Sequence, residues 1–254
     1  MSEERALSFG AVAEDYEATR PDWPLEPFVQ VLEHFGAPAQ PGVVDVAAGT
    51  GKLTRTLARL PGTLVAIEPD AALREVLQRM LPAVEALAGT AESLPLADAS
   101  ADVVCAGQAF HWFDLEAAPR EIGRVLRPGG ILIAGWNSPP GDGTWYDAVI
   151  EFLQVANPDH LPASTLDWSE VFGSVDGYGG LFEVECRHEQ PSDYASFARL
   201  LGTHSIISTQ PEPRRSAIVE EARAVAVEQG AFRPDGTCAI PWSCWLYALA
   251  RRAG

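Results

Sequence analysis

The sequence predicts an α/β fold: a doubly wound, mostly parallel seven-stranded sheet with helices on both faces and a small helical cap insertion. Three observations carry this. Apolar runs of strand length alternate with amphipathic segments from Pro24 to Trp136. The run Asp102–Gly107 (DVVCAG) is apolar on both faces, as strands covered on both sides are. The βαβ units repeat at a length that implies parallel pairing, and 254 residues suit one such domain with an insertion.

Phe28, Val31, Leu32 and Phe35 fall at helical spacing and mark a first amphipathic helix ending near Gly36. Val43–Ala47 is the first strand, and Lys52–Leu60 is a helix stopped by Pro61-Gly62. Leu64–Glu68 is the second strand, Ala71–Leu81 a helix with Leu73, Val76, Leu77 and Met80 on one face, and Val84–Ala88 a short third strand. After the fourth strand, Ala117–Leu126 reads as a helix closed by Arg127-Pro128-Gly129-Gly130, and Ile131–Trp136 as the fifth strand. The rhythm then loosens. Trp145, Val149, Phe152 and Ala156 mark a helix, Phe182–Arg187 a strand, Asp193–Ser208 a polar helical segment, Arg214–Gln229 a helix and Cys238–Ala250 a final strand.

Composition narrows the function. Against 18 Lys+Arg stand 35 Asp+Glu, a net charge of −17, so the general field repels nucleic acid and anionic membrane. No run reaches the length of a membrane span. The start, MSEERALSFG, has no apolar stretch of the kind a signal peptide needs, and the four cysteines form no C-x-x-C pair, so a cytoplasmic location is expected. Cys186 and His188 share a strand face but lack a second pair at ligand spacing, and no metal is expected.

The segment Val43–Thr54 followed by Glu68 is the most informative part of the chain. A strand runs into a turn of small residues, a helix follows, and the next strand ends in a carboxylate. Such a unit builds a nucleoside pocket: the turn lets backbone approach the ligand, and the carboxylate accepts ribose hydroxyls. Ligands sit beyond the carboxyl ends of parallel strands, so Ala47–Gly51, Glu68-Pro69, Thr90–Glu92 and Gln108–Trp112 should converge. A dinucleotide site would want G-x-G-x-x-G, and the third glycine is absent here. A nucleoside without diphosphate is therefore favoured over NAD.

Ordered blocks support one family. DVAAGTGKLT (Asp45–Thr54), AIEPD (Ala66–Asp70), GTAESLPL (Gly89–Leu96), ADVVCAGQAFHWFD (Ala101–Asp114) and EIGRVLRPGGILI (Glu121–Ile133), with flanking FGAVAEDYEATRPDWP (Phe9–Pro24) and IPWSCWLYALAR (Ile240–Arg251), resemble class I S-adenosylmethionine-dependent methyltransferases, close to the small-molecule group that includes trans-aconitate methyltransferases. The resemblance implies a Rossmann-like fold, S-adenosyl-L-methionine as cofactor and a small-molecule acceptor methylated on O or N. It also implies one methyltransferase domain over 1–254, with an N-terminal lid and first helix (1–36), a cofactor-binding core (37–136) and an acceptor-side half (137–254) whose cap lies near 193–230. It leaves a homodimer open.

Residue by residue, Asp45 with Ala47, Gly49 and Gly51 would hold the amino-acid moiety of the cofactor. Glu68 would grip the ribose diol with Pro69 beside the adenine, Ala91 and Glu92 would lie along the adenine edge, and Gln108 and Ala109 would face the methionine part. Tyr16 and Arg20, on an N-terminal segment with Trp23, are expected to fold over the cofactor site, with Arg20 free to pair with a carboxylate. Ala47 departs from the family pattern, which has glycine there. His111 follows the fourth strand where cofactor and acceptor should meet, and is the candidate general base; its bland alternative is a structural histidine between Phe110 and Trp112. Two rival readings are a cofactor-binding subunit without catalysis and an NAD-dependent dehydrogenase.

Overall fold

The computed structural model describes residues 13–156 and 167–252. Its centre is a seven-stranded sheet in the order β3-β2-β1-β4-β5-β7-β6. The strands are β1 (Gly42–Val46), β2 (Thr63–Ile67), β3 (Glu85–Leu87), β4 (Ala101–Gly107), β5 (Leu126–Ser138), β6 (Tyr178–Asp193) and β7 (Thr237–Arg251). The first five pair in parallel, and β7 lies antiparallel between β5 and β6.

Alternate residues of the parallel strands feed two separate cores. Val44, Val46, Val104, Leu132 and Ala134 face one side, against Ile122 and Val125 of α5 (Ala117–Val125) and Phe172 of α7 (Trp168–Gly173). Val43, Val103, Cys105, Ile131 and Ile133 face the other, against Phe28 and Val31 of α2 (Glu26–His34) and Leu53 and Leu57 of α3 (Lys52–Leu57). This is why DVVCAG carries no polar alternation: both faces are covered.

Several elements differ from the sequence reading. The fifth strand begins at Leu126, not Ile131, because Ala101 pairs with Leu126 and Val103 with Ile131, so the chain loops outward through Arg127–Gly130 and rejoins the same ladder. The strands β6 and β7 run 16 and 15 residues and continue their ladder to Asp193↔Thr237, past the last β5 partner at Ser138↔Ser243. The helical segment Asp193–Ser208 is two helices, α8 (Tyr194–Gly202) and α9 (Ser205–Ser208), interrupted where His204 takes an extended backbone. A seven-residue helix, α1 (Ala13–Thr19), precedes α2.

Beyond the carboxyl end of β5 lies a third core. Tyr146, Val149 and Leu153 of α6 (Trp145–Ala156) pack against Phe197, Leu200 and Leu201 of α8, Ile206 and Ile207 of α9, and Ile218, Ala222 and Ala226 of α10 (Arg214–Glu228). The overhanging ends of β6 and β7 supply its floor through Cys238, Ile240 and Trp242. Among the described residues no helix is long and apolar enough to cross a membrane, and no group of three or more His, Cys, Asp or Glu could hold a metal ion.

Candidate functional site

The chain order of the sheet reverses between β1 and β4, and the carboxyl ends of these strands open a crevice. The β1–α3 turn forms one wall. Ala47, Gly49 and Gly51 all have positive φ, at 55°, 59° and 93°. The turn is tied down by main-chain bonds: Ala48 N–H donates to the Ile67 carbonyl at 3.0 Å and Gly51 N–H to the Ala48 carbonyl at 2.9 Å. Glycine adopts the left-handed region freely, whereas an alanine there costs on the order of 1–2 kcal/mol. Replacement Ala47→Gly is therefore expected to raise stability by about 1 kcal/mol and Tm by about 2–4 °C, read by thermal denaturation.

Two carboxylates reach the crevice from the ends of β1 and β2. Asp45 is 1% exposed; its Oδ2 accepts the Thr54 hydroxyl at 2.6 Å, and its Oδ1 has no partner among the described residues. Burial pushes its carboxyl up to about 7, opposed in part by the Thr54 bond. Thr54 occupies the place a third glycine would take, so the residue whose absence argued against a dinucleotide site is the one that orients Asp45. Glu68 is 5% exposed and its two oxygens accept Gly49 N–H and Asp70 N–H, each at 2.8 Å. Burial also raises its carboxyl. Each oxygen retains a second lone pair for a ligand hydroxyl. Asp70 in turn caps α4 (Ala71–Met80), accepting from Ala72 N–H and Leu73 N–H at 2.8 and 3.0 Å, which fixes the turn carrying Glu68 and Pro69.

These groups line a cavity of about 240 Å³. The four segments expected to converge do so: Ala47–Thr50, Glu68-Pro69, Thr90–Glu92, and Gln108, Ala109 and Trp112 all face it, with Tyr16 closing one side. Gly51 caps α3 just behind the wall, where a Cβ would meet Leu77 at 3.1 Å. Ala91 is buried, while Glu92 is exposed and its carboxylate accepts Asp114 N–H at 3.1 Å. Gln108 has a φ of 57°, a second strained non-glycine position on this rim. Gly107 is dictated by packing, since a Cβ there would lie 2.9 Å from both Leu53 and Trp23. Sequence reasoning missed Leu73 and Phe113, apolar lining residues with no motif of their own.

A second, more open cavity of about 760 Å³ adjoins the first and shares Tyr16, Gln108 and Trp112 with it. It lies between the sheet and the helical cap, and it holds Arg20 and His111. Arg20 is thus placed on the cap side: its Nε donates to Thr203 Oγ1 at 2.9 Å and its Nη2 to the Thr203 carbonyl at 3.1 Å. His111 sits in a 3-10 turn, Phe110–Trp112, and its Nδ1 accepts the indole N–H of Trp136 at 3.3 Å. Burial lowers its pKa to about 4. The imidazole is therefore neutral near pH 7 with its proton on Nε2, and the ring nitrogen that would take a proton is already engaged. The general-base role expected of His111 meets both obstacles, and the geometry instead makes it a hydrogen-bond donor. Trp168 and Tyr247, which also line this chamber, were not legible as site residues, whereas Asn137 belongs to the stretch 137–144 that the sequence offered for the acceptor side.

Helix α1 joins the two cavities from outside. Glu17 accepts the Thr50 hydroxyl at 2.8 Å and pairs with Arg55 of α3. On the other side, Asp15 pairs with Arg199 of α8 at 2.7 Å, and Gln190 Nε2 donates to the Thr19 carbonyl at 2.7 Å.

Fold and site together define a Rossmann-like enzyme with a crevice shaped for a nucleoside and a separate chamber beside it. Comparison with known proteins agrees. A family model described as a methyltransferase domain matches residues 44–134. The chain is 43% identical over 238 residues to an uncharacterised methyltransferase of Mycobacterium tuberculosis, covering 93% of each chain. It is 30% identical over 213 residues to a methyltransferase-like protein of Schizosaccharomyces pombe, covering 84% of this chain and 83% of the other. Among solved structures, a type II methyltransferase from Anaeromyxobacter dehalogenans superposes with a TM-score of 0.72 at 24% identity, covering 92% of this chain and 99% of that one. The chain belongs to the class I S-adenosylmethionine-dependent methyltransferases, and S-adenosyl-L-methionine is its methyl donor.

Proposed function

We propose that the enzyme transfers the methyl group to an oxygen or nitrogen nucleophile of a small-molecule acceptor, with the cofactor in the smaller cavity and the acceptor in the larger. The orphaned Oδ1 of Asp45 carries this reading: a buried carboxylate oxygen without a partner, on the wall of a cavity whose other carboxylate is Glu68, suits the ammonium of an amino acid joined to a ribose. In this arrangement Asp45 and the turn Ala47–Gly51 hold the amino-acid moiety and Glu68 the ribose hydroxyls. Pro69, Ala91 and Glu92 border the adenine, and Gln108 and Ala109 meet the methionine part. The bound sulfonium supplies an electrophilic methyl carbon; the chain's own work is alignment and exclusion of water.

A small acceptor is supported by the chamber's size and by its roofing with α6, α9 and the Thr203-His204 link before α9. The sequence likeness to trans-aconitate methyltransferases belongs to the same proposal, as does the role of the N-terminal segment as a lid carrying Tyr16 and Arg20. Calorimetry tests the cofactor assignment: S-adenosylhomocysteine is expected to bind at micromolar Kd and NAD not measurably. Binding of NAD with equal affinity would sink it.

A further inference from the structure

The larger chamber is walled by flat rings, and His111 and Asn137 each retain a hydrogen-bond donor on its lining. Resting on the assignment of that chamber to the acceptor, we propose that it takes a planar aromatic acceptor whose reacting atom is an oxyanion, held by hydrogen bonds donated from His111 and Asn137.

The walls come first. Five of the chain's seven tryptophans, Trp112, Trp136, Trp168, Trp242 and Trp245, line the chamber together with Tyr247. Trp136 stacks on Trp168 with centroids 4.3 Å apart, and Trp245 lies within 21° of the plane of Tyr247. Flat, fixed aromatic faces favour a ring lying on or against them over an acyclic chain of equal size.

The polar groups give the second constraint. With Nδ1 occupied by the Trp136 indole, His111 offers Nε2–H. His188 Nε2 lies 3.0 Å from Asn137 Oδ1. An amide oxygen only accepts, so His188 donates, and the Asn137 Nδ2 amino group remains to serve a ligand. Burial lowers the His188 pKa as well, which keeps that ring neutral. Gln108 Nε2 donates to the Asn137 carbonyl and fixes it to the rim shared by the two cavities.

The other titratable groups on the chamber are Tyr16, Arg20, Asp147, Glu151, His204 and Tyr247. Asp147 accepts from Gly141 N–H and from Thr144 N–H and hydroxyl, each at 2.8 Å, and Glu151 is a residue of α6 on the chamber's lining. His204 Nε2 is 3.0 Å from the Tyr146 hydroxyl. Arg20 is the one Lys or Arg among the described lining residues, and it adds positive charge. An amine N–H brought here would face N–H; an oxyanion would be matched. The chemistry balances without a base. An oxygen lone pair forms the O–CH3 bond while the C–S bond breaks and its electron pair stays on sulfur, so the negative and positive charges are neutralised together and no proton leaves.

The test uses the full chain saturated with S-adenosylhomocysteine and 4-nitrophenol, which is coloured as its anion. Donors aimed at the oxygen should lower the bound phenol's pKa by at least about one unit, read from absorbance against pH, with tryptophan fluorescence reporting occupancy. His111→Phe and Asn137→Ala should each lose most of that shift, and His111→Gln, which keeps a donor, should retain it. Cinnamate, aniline and an acyclic dicarboxylate complete the set. Displacement by cinnamate alone assigns the oxyanion to a carboxylate, and binding of nitrophenol alone assigns it to a phenolate. With S-adenosylmethionine, transfer to the better ring acid should exceed transfer to aniline at least tenfold. The proposal is overturned by an unchanged or raised bound pKa, by aniline methylated as fast, by the acyclic acid binding more tightly, or by no binding of either ring acid. Failure of S-adenosylhomocysteine itself to bind overturns the cofactor reading instead.

Discussion

Glu68→Ala is expected to weaken S-adenosylhomocysteine binding by at least about 100-fold, because hydrogen bonds to a charged acceptor contribute on the order of 1.5–3 kcal/mol each. The same change strips Gly49 N–H and Asp70 N–H of their 2.8 Å partner, so Tm should fall too. Loosening of the turn and loss of the ribose contact are separable with the 2′-deoxy analogue of the ligand. The native enzyme should discriminate against it, whereas the Ala variant, with no carboxylate to lose, should bind both forms alike. Unchanged affinity for the parent ligand in a folded variant would remove Glu68 from the site.

The second large effect has opposite signs for stability and binding. The folded-state carboxyl of Asp45 titrates at about 7, above its ordinary 3.8. Between those values the folded protein holds a proton that the unfolded chain has released, so ligand-free stability falls as pH rises through that window and the penalty is complete above about pH 7. Asp45→Asn removes the charge. The variant should match the native protein near pH 4 and exceed it at pH 8 by on the order of a few kcal/mol, measured by urea denaturation without ligand. Its affinity for S-adenosylhomocysteine should drop by about 100-fold or more, since the ammonium loses its counter-charge. A variant no more stable at pH 8 than at pH 4, relative to native, would refute the account.

The convergence of residues on the smaller cavity was legible because it is made at strand ends. Once β1, β2 and β4 are placed, their carboxyl termini must share an edge, and Asp45, Glu68 and Gln108 come together by topology alone. The larger chamber is not made that way. Asn137 is the penultimate residue of β5, Trp168 starts a short helix, and Tyr247 and Trp245 sit on a strand read as a closing apolar and aromatic run. Their proximity depends on β6 and β7 overrunning the sheet, which no local pattern announces. His111 was visible as a histidine in the right place, but its chemistry was not. One indole N–H from a residue 25 positions away sets its tautomer. The Leu126–Gly130 excursion misled for a simpler reason: a Pro-Gly-Gly sequence signals a turn, and here the turn lies inside a strand.

Helix α1, described from Ala13 to Thr19, is moored on two sides. Its contacts run to Thr50 and Arg55 beside the smaller cavity and to Arg199 and Gln190 on the other side. Whatever firms one set of moorings lessens the cost of ordering the helix for the other, and the debt is symmetrical. The two cavities are thus linked through one segment, and if they take the two ligands as proposed, a ligand that orders α1 in one would lessen the cost of ordering it for the other.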